Sequence, residues 1–243
     1  MTAEQLGKNH TIFVNENHTF GTDAVLLADF SINRKVKKAC DLGTGCGIIP
    51  MLWQSNGKAE TVFGVEIQED ATHLCEKTIK ENNLENSFFI INSDLKDLKG
   101  KLPFGEFDVV SCNPPYKAPG AGIVNPLDAK KIARHETLCT FDDICFTASK
   151  LLRFGGKFCV CHRPERLTDI FVSMRNAKIE PKRLRTVSQR EGKQPWLVLV
   201  EGRLGGKSGI IIEPPLFVEK NGELSDEMME IYGDYKDGKG RKI

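Results

Sequence analysis

Short apolar runs separated by helix-length stretches constrain this chain more than any other feature. Val36–Leu42, Thr61–Ile67, Ser87–Asn92, Phe107–Asn113 and Gly156–His162 are rich in Val, Ile, Phe or Cys and have the length of strands. Ile48–Ser55, Glu69–Asn82, Phe141–Phe154 and Arg166–Ala177 have the length of helices. Strands joined through helices lie parallel, and the helices cover the faces of the sheet. After Ala177 the rhythm changes. Lys182–Ser188 and Trp196–Leu204 are strand-like and are joined by Gln189–Pro195 with no helix between them, which predicts a hairpin. The expected fold is α/β, with a seven-strand mixed, mostly parallel sheet, helices on both faces and a C-terminal antiparallel hairpin. One unit is expected over 1–243, divided into an N-terminal cap segment (1–35), a core (36–204) and a C-terminal extension (205–243). The extension reads as a weak strand at Gly209–Ile212, a double-Pro turn and a short acidic helix.

Charge and cysteine usage narrow the possible functions. Thirty-four Lys and Arg against 33 Asp and Glu leave a net charge of +1, so any nucleic-acid surface must be local. No apolar run approaches the roughly 18–20 residues of a membrane span, and the N-terminus has no signal-peptide pattern. A soluble, cytoplasmic protein is expected. The eight cysteines form no CxxC pair and sit mostly in apolar runs, as small buried hydrophobes do in a reducing compartment. The five histidines (His10, His18, His73, His135 and His162) are scattered, so no metal is expected.

Two motifs carry chemistry. Asp41-Leu42-Gly43-Thr44-Gly45-Cys46-Gly47 follows a strand and precedes a helix. Its glycines let the backbone turn sharply and let a ligand approach closer than a Cβ permits, while the helix start offers unpaired N–H groups. Glu66 lies 19 positions after Gly47, at the end of the next strand, where one carboxylate can accept from both hydroxyls of a ribose. A nucleoside cofactor is the expected ligand. Asn113-Pro114-Pro115-Tyr116 closes the fourth strand. The two prolines fix φ and remove two donors, leaving rigid carbonyls, an amide and an aromatic ring. Such a frame suits an NH2 group, of adenine or of a carboxamide. Accepting both hydrogens localises the nitrogen lone pair and aims it at an electrophile, and Tyr116 could stack on the planar group.

DLGTGCG, Glu66, Asp94-Leu95 and NPPY together resemble class I S-adenosylmethionine-dependent methyltransferases acting on exocyclic or amide nitrogens. His18-Thr19-Phe20-Gly21-Thr22-Asp23-Ala24-Val25-Leu26-Leu27, ahead of the glycine loop, is similar to the opening of the bacterial tRNA(Val) adenine-N6 methyltransferase family. ARHE at 133–136 and the ending after two hairpin strands resemble that family too, and the likeness runs from about Thr11 to Gly233. The resemblance implies S-adenosylmethionine as cofactor, tRNA as partner, and N6 of the adenosine beside the anticodon of a valine tRNA as target. It implies that Asp41 and Gly43, Gly45 and Gly47 hold the methionine part and that Glu66, followed by Ile67, holds the ribose. Asp94 with the backbone of Leu95 would read the adenine edge, and Phe20, Thr22 and Asp23 would close over the cofactor. Asn113, expected to border the cofactor too, and Pro114, with Pro115 and Tyr116, would receive the target base. No metal, general base or covalent intermediate is implied.

Flipping a base from a tRNA loop requires compensating backbone contacts. Nine Lys or Arg against three Glu lie between Arg175 and Lys207, a net +6, and Glu213–Asp237 carries −6. Arg183, Arg185 and Arg190 in the basic run, with Lys117 and Arg134 beside NPPY, are the expected RNA contacts. Three rivals share parts of this pattern. A release-factor glutamine-N5 methyltransferase uses the same Asn-Pro-Pro-Tyr logic but has a helical domain before its glycine loop, where only 40 residues precede Asp41 here. A ribosomal guanine-N2 methyltransferase is expected to be duplicated. A non-catalytic RNA-binding module is expected to have a degraded glycine loop or to lack the Asn.

Overall fold

A computed structural model of the chain describes residues 1–115 and 139–233. The first five parallel strands are β3 (Val36–Leu42), β4 (Ala59–Glu66), β5 (Phe88–Asn92), β6 (Phe107–Cys112) and β7 (Leu152–His162). They are joined through α2 (Ile48–Ser55), α3 (Glu69–Glu81) and α4 (Phe141–Leu151); α5 (Leu167–Asn176) leads from β7 to β8 (Ile179–Ser188), and β9 (Leu197–Leu204) returns beside it. The sheet order is β5-β4-β3-β6-β7-β9-β8, parallel up to β7 and antiparallel across β9. Two further two-residue strands, β10 (Ile211–Ile212) and β11 (Leu216–Phe217), pair parallel with β8 on its free edge. Pro214 and Pro215 lie between these two strands and have no N–H for the ladder, so the edge strand is split.

Side chains on the strands alternate between two cores, as a period of two requires. Ala39, Val109, Cys159, Cys161, Leu197 and Leu199 join one cluster with α2 and α3. Cys40, Val110, Phe158, Val160, Val198 and Val200 join the other with α4 and α5. All eight cysteines are free thiols, seven of them buried. No described helix is long and apolar enough to cross a membrane.

The helix expected over Phe141–Phe154 stops at Leu151, and Leu152–Phe154 already belongs to β7. Gly155, at φ 75°, allows the chain to bulge there, where the β6–β7 register shifts. The N-terminal segment is more structured than its sequence suggested. β1 (Thr2–Leu6) and β2 (His10–Val14) form a hairpin, and α1 (Thr22–Ser31) follows. Thr78 on α3 and Asn82 at its C-terminal cap accept from the N–H groups of Phe13 and Thr11, so these side chains complete the ladder of β2. The described residues end with a small hairpin (β12, Glu219–Lys220; β13, Glu223–Leu224) and α6 (Asp226–Tyr232), which is capped by Ser225.

The basic and acidic segments are partners. Arg183, 18 % exposed, pairs with Glu201 at 3.0 Å and Glu213 at 3.1 Å and lies 3.9 Å from the centre of the Phe30 ring. Arg185 donates to the Pro214 carbonyl and pairs with Glu227 at 2.7 Å. Arg183 and Arg185, expected to contact RNA, both tie the C-terminal extension onto β8 in this structure. Arg183→Ala is expected to destabilise the fold by about 2 kcal/mol, since it removes charged hydrogen bonds to Glu213 and to the buried Glu201 carboxylate, which keeps Lys157 at 3.1 Å as its remaining partner. The midpoint of urea unfolding reads this directly, and an unchanged midpoint would contradict it.

Candidate active site

The order of the sheet reverses beside β3: β4 and β5 lie to one side of it, β6 and β7 to the other. Loops leaving β3 and β6 therefore diverge and open a crevice at the C-terminal edge of the strands. Leu42 pairs with Cys112, so Gly43 and Asn113 leave the sheet side by side. Both motifs singled out in the sequence meet at this point.

Gly43 and Gly45 have φ values of 69° and 56°, and a Cβ built on either would meet nothing within 4 Å. The loop thus has an open face lined by backbone. Gly47, which precedes α2, is closed in, since a Cβ there would stand 2.9 Å from Cys75 Sγ. Gly64 on β4 is tight for a related reason: a Cβ would come within 2.8 Å of the Thr44 methyl. Glu66, 5 % exposed, accepts from Gly45 N through one oxygen and from Gln68 N through the other, both at 2.9 Å. One carboxylate therefore braces the glycine loop and the start of the next connection while keeping lone pairs to spare. Ile67 beyond it is 48 % exposed, an aliphatic surface at the mouth of the crevice. Asn92, which sequence reasoning missed, donates to the Glu66 and Ile67 carbonyls and joins the ends of β4 and β5. Asp94 is partly exposed and accepts from Lys96 N, and the Leu95 carbonyl accepts from Thr147.

Asp41 lies beneath the loop, 1 % exposed, and accepts from Ser111. Burial pushes its carboxyl up to about 7 against the lowering pull of the Ser111 and Thr44 hydroxyls, and the Glu66 charge adds to the rise. An unfolded aspartate titrates near 4. Between about pH 4 and about pH 7 the folded chain therefore holds a proton that the unfolded chain has lost, so this group makes stability fall as pH rises through that window. Asp41→Asn abolishes the titration. Its stability relative to wild type is expected to increase from about pH 5 to about pH 8. Denaturation at both values tests this, and a pH-independent difference would refute it.

Asn113 closes β6. Its Nδ2 donates to Asp23 at 3.1 Å, and Cys161 Sγ donates to its Oδ1 at 3.2 Å. Pro114 is buried and Pro115 exposed. Of the other N-terminal residues, Phe20 packs half-buried against the core, and Thr22 hydrogen-bonds Tyr232 on α6 at 2.8 Å. Tyr116, Lys117 and Arg134 lie outside the described residues. Arg190 is exposed in the β8–β9 turn, and because β8 runs parallel to β7 this turn leaves the sheet at the same edge as Asn113. Among the described residues no three His, Cys, Asp or Glu side chains gather as a metal site would need.

An open glycine cradle facing a rigid Asn-Pro-Pro at the switch point of a mostly parallel sheet defines the class I methyltransferase architecture. The structure of a predicted O-methyltransferase from Agrobacterium tumefaciens superposes on it with a TM-score of 0.71, over 88% of this chain and 97% of that one, at 19% identity. Residues 5–165 match the methyltransferase small domain, and the chain belongs to that family. The tRNA1(Val) (adenine(37)-N6)-methyltransferase of Proteus mirabilis is 30% identical over 141 residues, 58% of this chain. That alignment spans 55% of the relative, little more than half its length. The enzyme of the same name from Dyadobacter fermentans is 22% identical over 84% of both chains.

Proposed function

We propose that the chain is an S-adenosylmethionine-dependent N-methyltransferase that methylates the exocyclic N6 of an adenosine in tRNA, namely the adenosine beside the anticodon of a valine tRNA. The observation that carries this reading is the Asn113 amide at the switch point, beside a glycine loop whose face is open at Gly43 and Gly45. The names of the Proteus and Dyadobacter relatives support the substrate. The residues present fit the cofactor. Gly43 and Gly45 leave backbone accessible, Glu66 has acceptor capacity for ribose hydroxyls, Ile67 offers an apolar surface and Asp94 an acceptor for the adenine edge. Asp41 supports the methionine side from beneath, and Phe20, Thr22 and Asp23 flank it from the N-terminal side.

S-adenosylmethionine supplies an electrophilic methyl group. The protein's own part is orientation. Asn113 Oδ1 and the Pro114 carbonyl accept the two hydrogens of the target amino group, which turns its lone pair out of conjugation. Pro115 holds the carbonyl frame rigid, and Tyr116 stacks on the base. The amino group gives up its surplus proton to water, so no tuned base is needed. Arg190, with Lys117 and Arg134, contacts the RNA backbone. Transfer of labelled methyl from S-adenosylmethionine into unmodified total tRNA, followed by nucleoside analysis, tests the reading. N6-methyladenosine is the expected product; label found only in a protein carboxamide would overturn the substrate.

A further inference from the structure

Asn113 can act as an acceptor only if its amide points one way. A carboxamide has an acceptor at one end and two donors at the other, and a half-turn exchanges them. One neighbour selects the arrangement and a second, a thiol that can donate, fits it. The Asp23 carboxylate lies 3.1 Å from Nδ2, and an ionised carboxylate only accepts, so it must face the amino end. Cys161 Sγ lies 3.2 Å from Oδ1, whereas its other acceptor, the Asp23 carbonyl, is at 3.9 Å. A flipped amide would set its oxygen against the carboxylate and its NH2 against the thiol. In the observed orientation the acceptor end of the amide lies opposite the end that meets the Asp23 carboxylate.

The supports come from distant parts of the chain. Asp23 stands in the first turn of α1, and Cys161 is fully buried on β7, beside β6. Gly21 completes the arrangement. Its backbone is extended (φ −115°, ψ 179°), a conformation open to any residue, yet a Cβ there would stand 2.6 Å from Asp23 Oδ1. The missing side chain leaves room for the Asp23 carboxylate to reach Asn113.

We propose that Asp23 and Cys161 are positioning residues that hold Asn113 with Oδ1 presented to the target amino group, and that Gly21 permits Asp23 to do so. This rests on the amino-acceptor reading of Asn113. The test measures kcat, KM for tRNA and calorimetric cofactor affinity in four variants. Cys161→Ala is expected to lower kcat about three- to tenfold and Asp23→Ala about tenfold or more, on the scale of neutral and charged hydrogen bonds. Gly21→Ala is expected to fall toward the Asp23 variant, and Cys161→Ser, which retains a donor, to stay within about twofold of wild type. KM and cofactor affinity are expected to hold in the two Cys161 variants, whereas the Asp23 and Gly21 variants, beside the cofactor as well, are read on kcat at saturating cofactor.

A Cys161→Ser as poor as Cys161→Ala would reduce the thiol to packing and overturn its role. An Asp23→Ala that loses cofactor affinity at unchanged kcat would leave Asp23 with its place beside the cofactor alone and overturn its hold on Asn113. Failure of the underlying reading gives a different result. If wild-type protein methylates a protein carboxamide in place of tRNA, the substrate falls and the same variants are read on that acceptor. If it methylates neither, the side-chain amide resonances of Asn113 decide. They are expected to shift in both Cys161→Ala and Asp23→Ala, and unmoved resonances would overturn the proposal.

Discussion

Asn113→Ala is expected to lower kcat for methyl transfer by about 100- to 1,000-fold, the scale seen when one preorganised group at a reacting centre is removed. Cofactor affinity is expected to stay within about threefold of wild type, because the amide bonds Asp23 on α1 and Cys161 on β7, whereas the glycine loop is braced by Glu66. The contrast is what matters. Losses of kcat and affinity in step would mean that the end of β6 had collapsed, and full activity would remove Asn113 from the chemistry. Calorimetry with S-adenosylmethionine beside single-turnover transfer separates these results.

Glu66→Ala is expected to weaken cofactor binding by roughly 1.5–3 kcal/mol, the range of hydrogen bonds to a charged group. Glu66→Gln sharpens the test. The carboxylate accepts two backbone N–H groups at once, from Gly45 and Gln68. An amide can accept at one end only and sets N–H against N–H at the other, so the near-isosteric variant is expected to bind almost as poorly as the alanine. Wild-type affinity in Glu66→Gln would show that the loop needs volume at this position and not two acceptors.

The sheet was legible because its strands are apolar runs of period two separated by helices, and nothing in their tertiary setting opposes that local pattern. The glycine loop was legible for a related reason: Gly43 and Gly45 adopt φ values that few other residues tolerate, so their spacing already encodes the turn. Hairpin β1–β2 was not. Its strands alternate weakly, and part of the β2 ladder is completed by Thr78 and Asn82, over 60 residues away. Charge was legible as a sum and misleading as a surface. A run of +6 looks the same in sequence whether its arginines face solvent or, like Arg183 and Arg185, meet Glu201 on the neighbouring strand and Glu213 and Glu227 of the C-terminal extension.

The sequence by itself determined the α/β class, the place of the glycine loop after β3, the carboxylate after β4 and the Asn-Pro-Pro frame after β6. Each of these depends on interactions among residues near in the chain, where backbone geometry follows from side-chain type. Only the tertiary structure decided that Asp23, Asn113 and Cys161 meet, that Asp41 is buried beneath the loop it precedes, and that Arg183 and Arg185 of β8 pair with Glu213 and Glu227 of the C-terminal extension. Those contacts join residues up to 138 positions apart. Strand order and register set them, and neither is written in any local pattern of the chain.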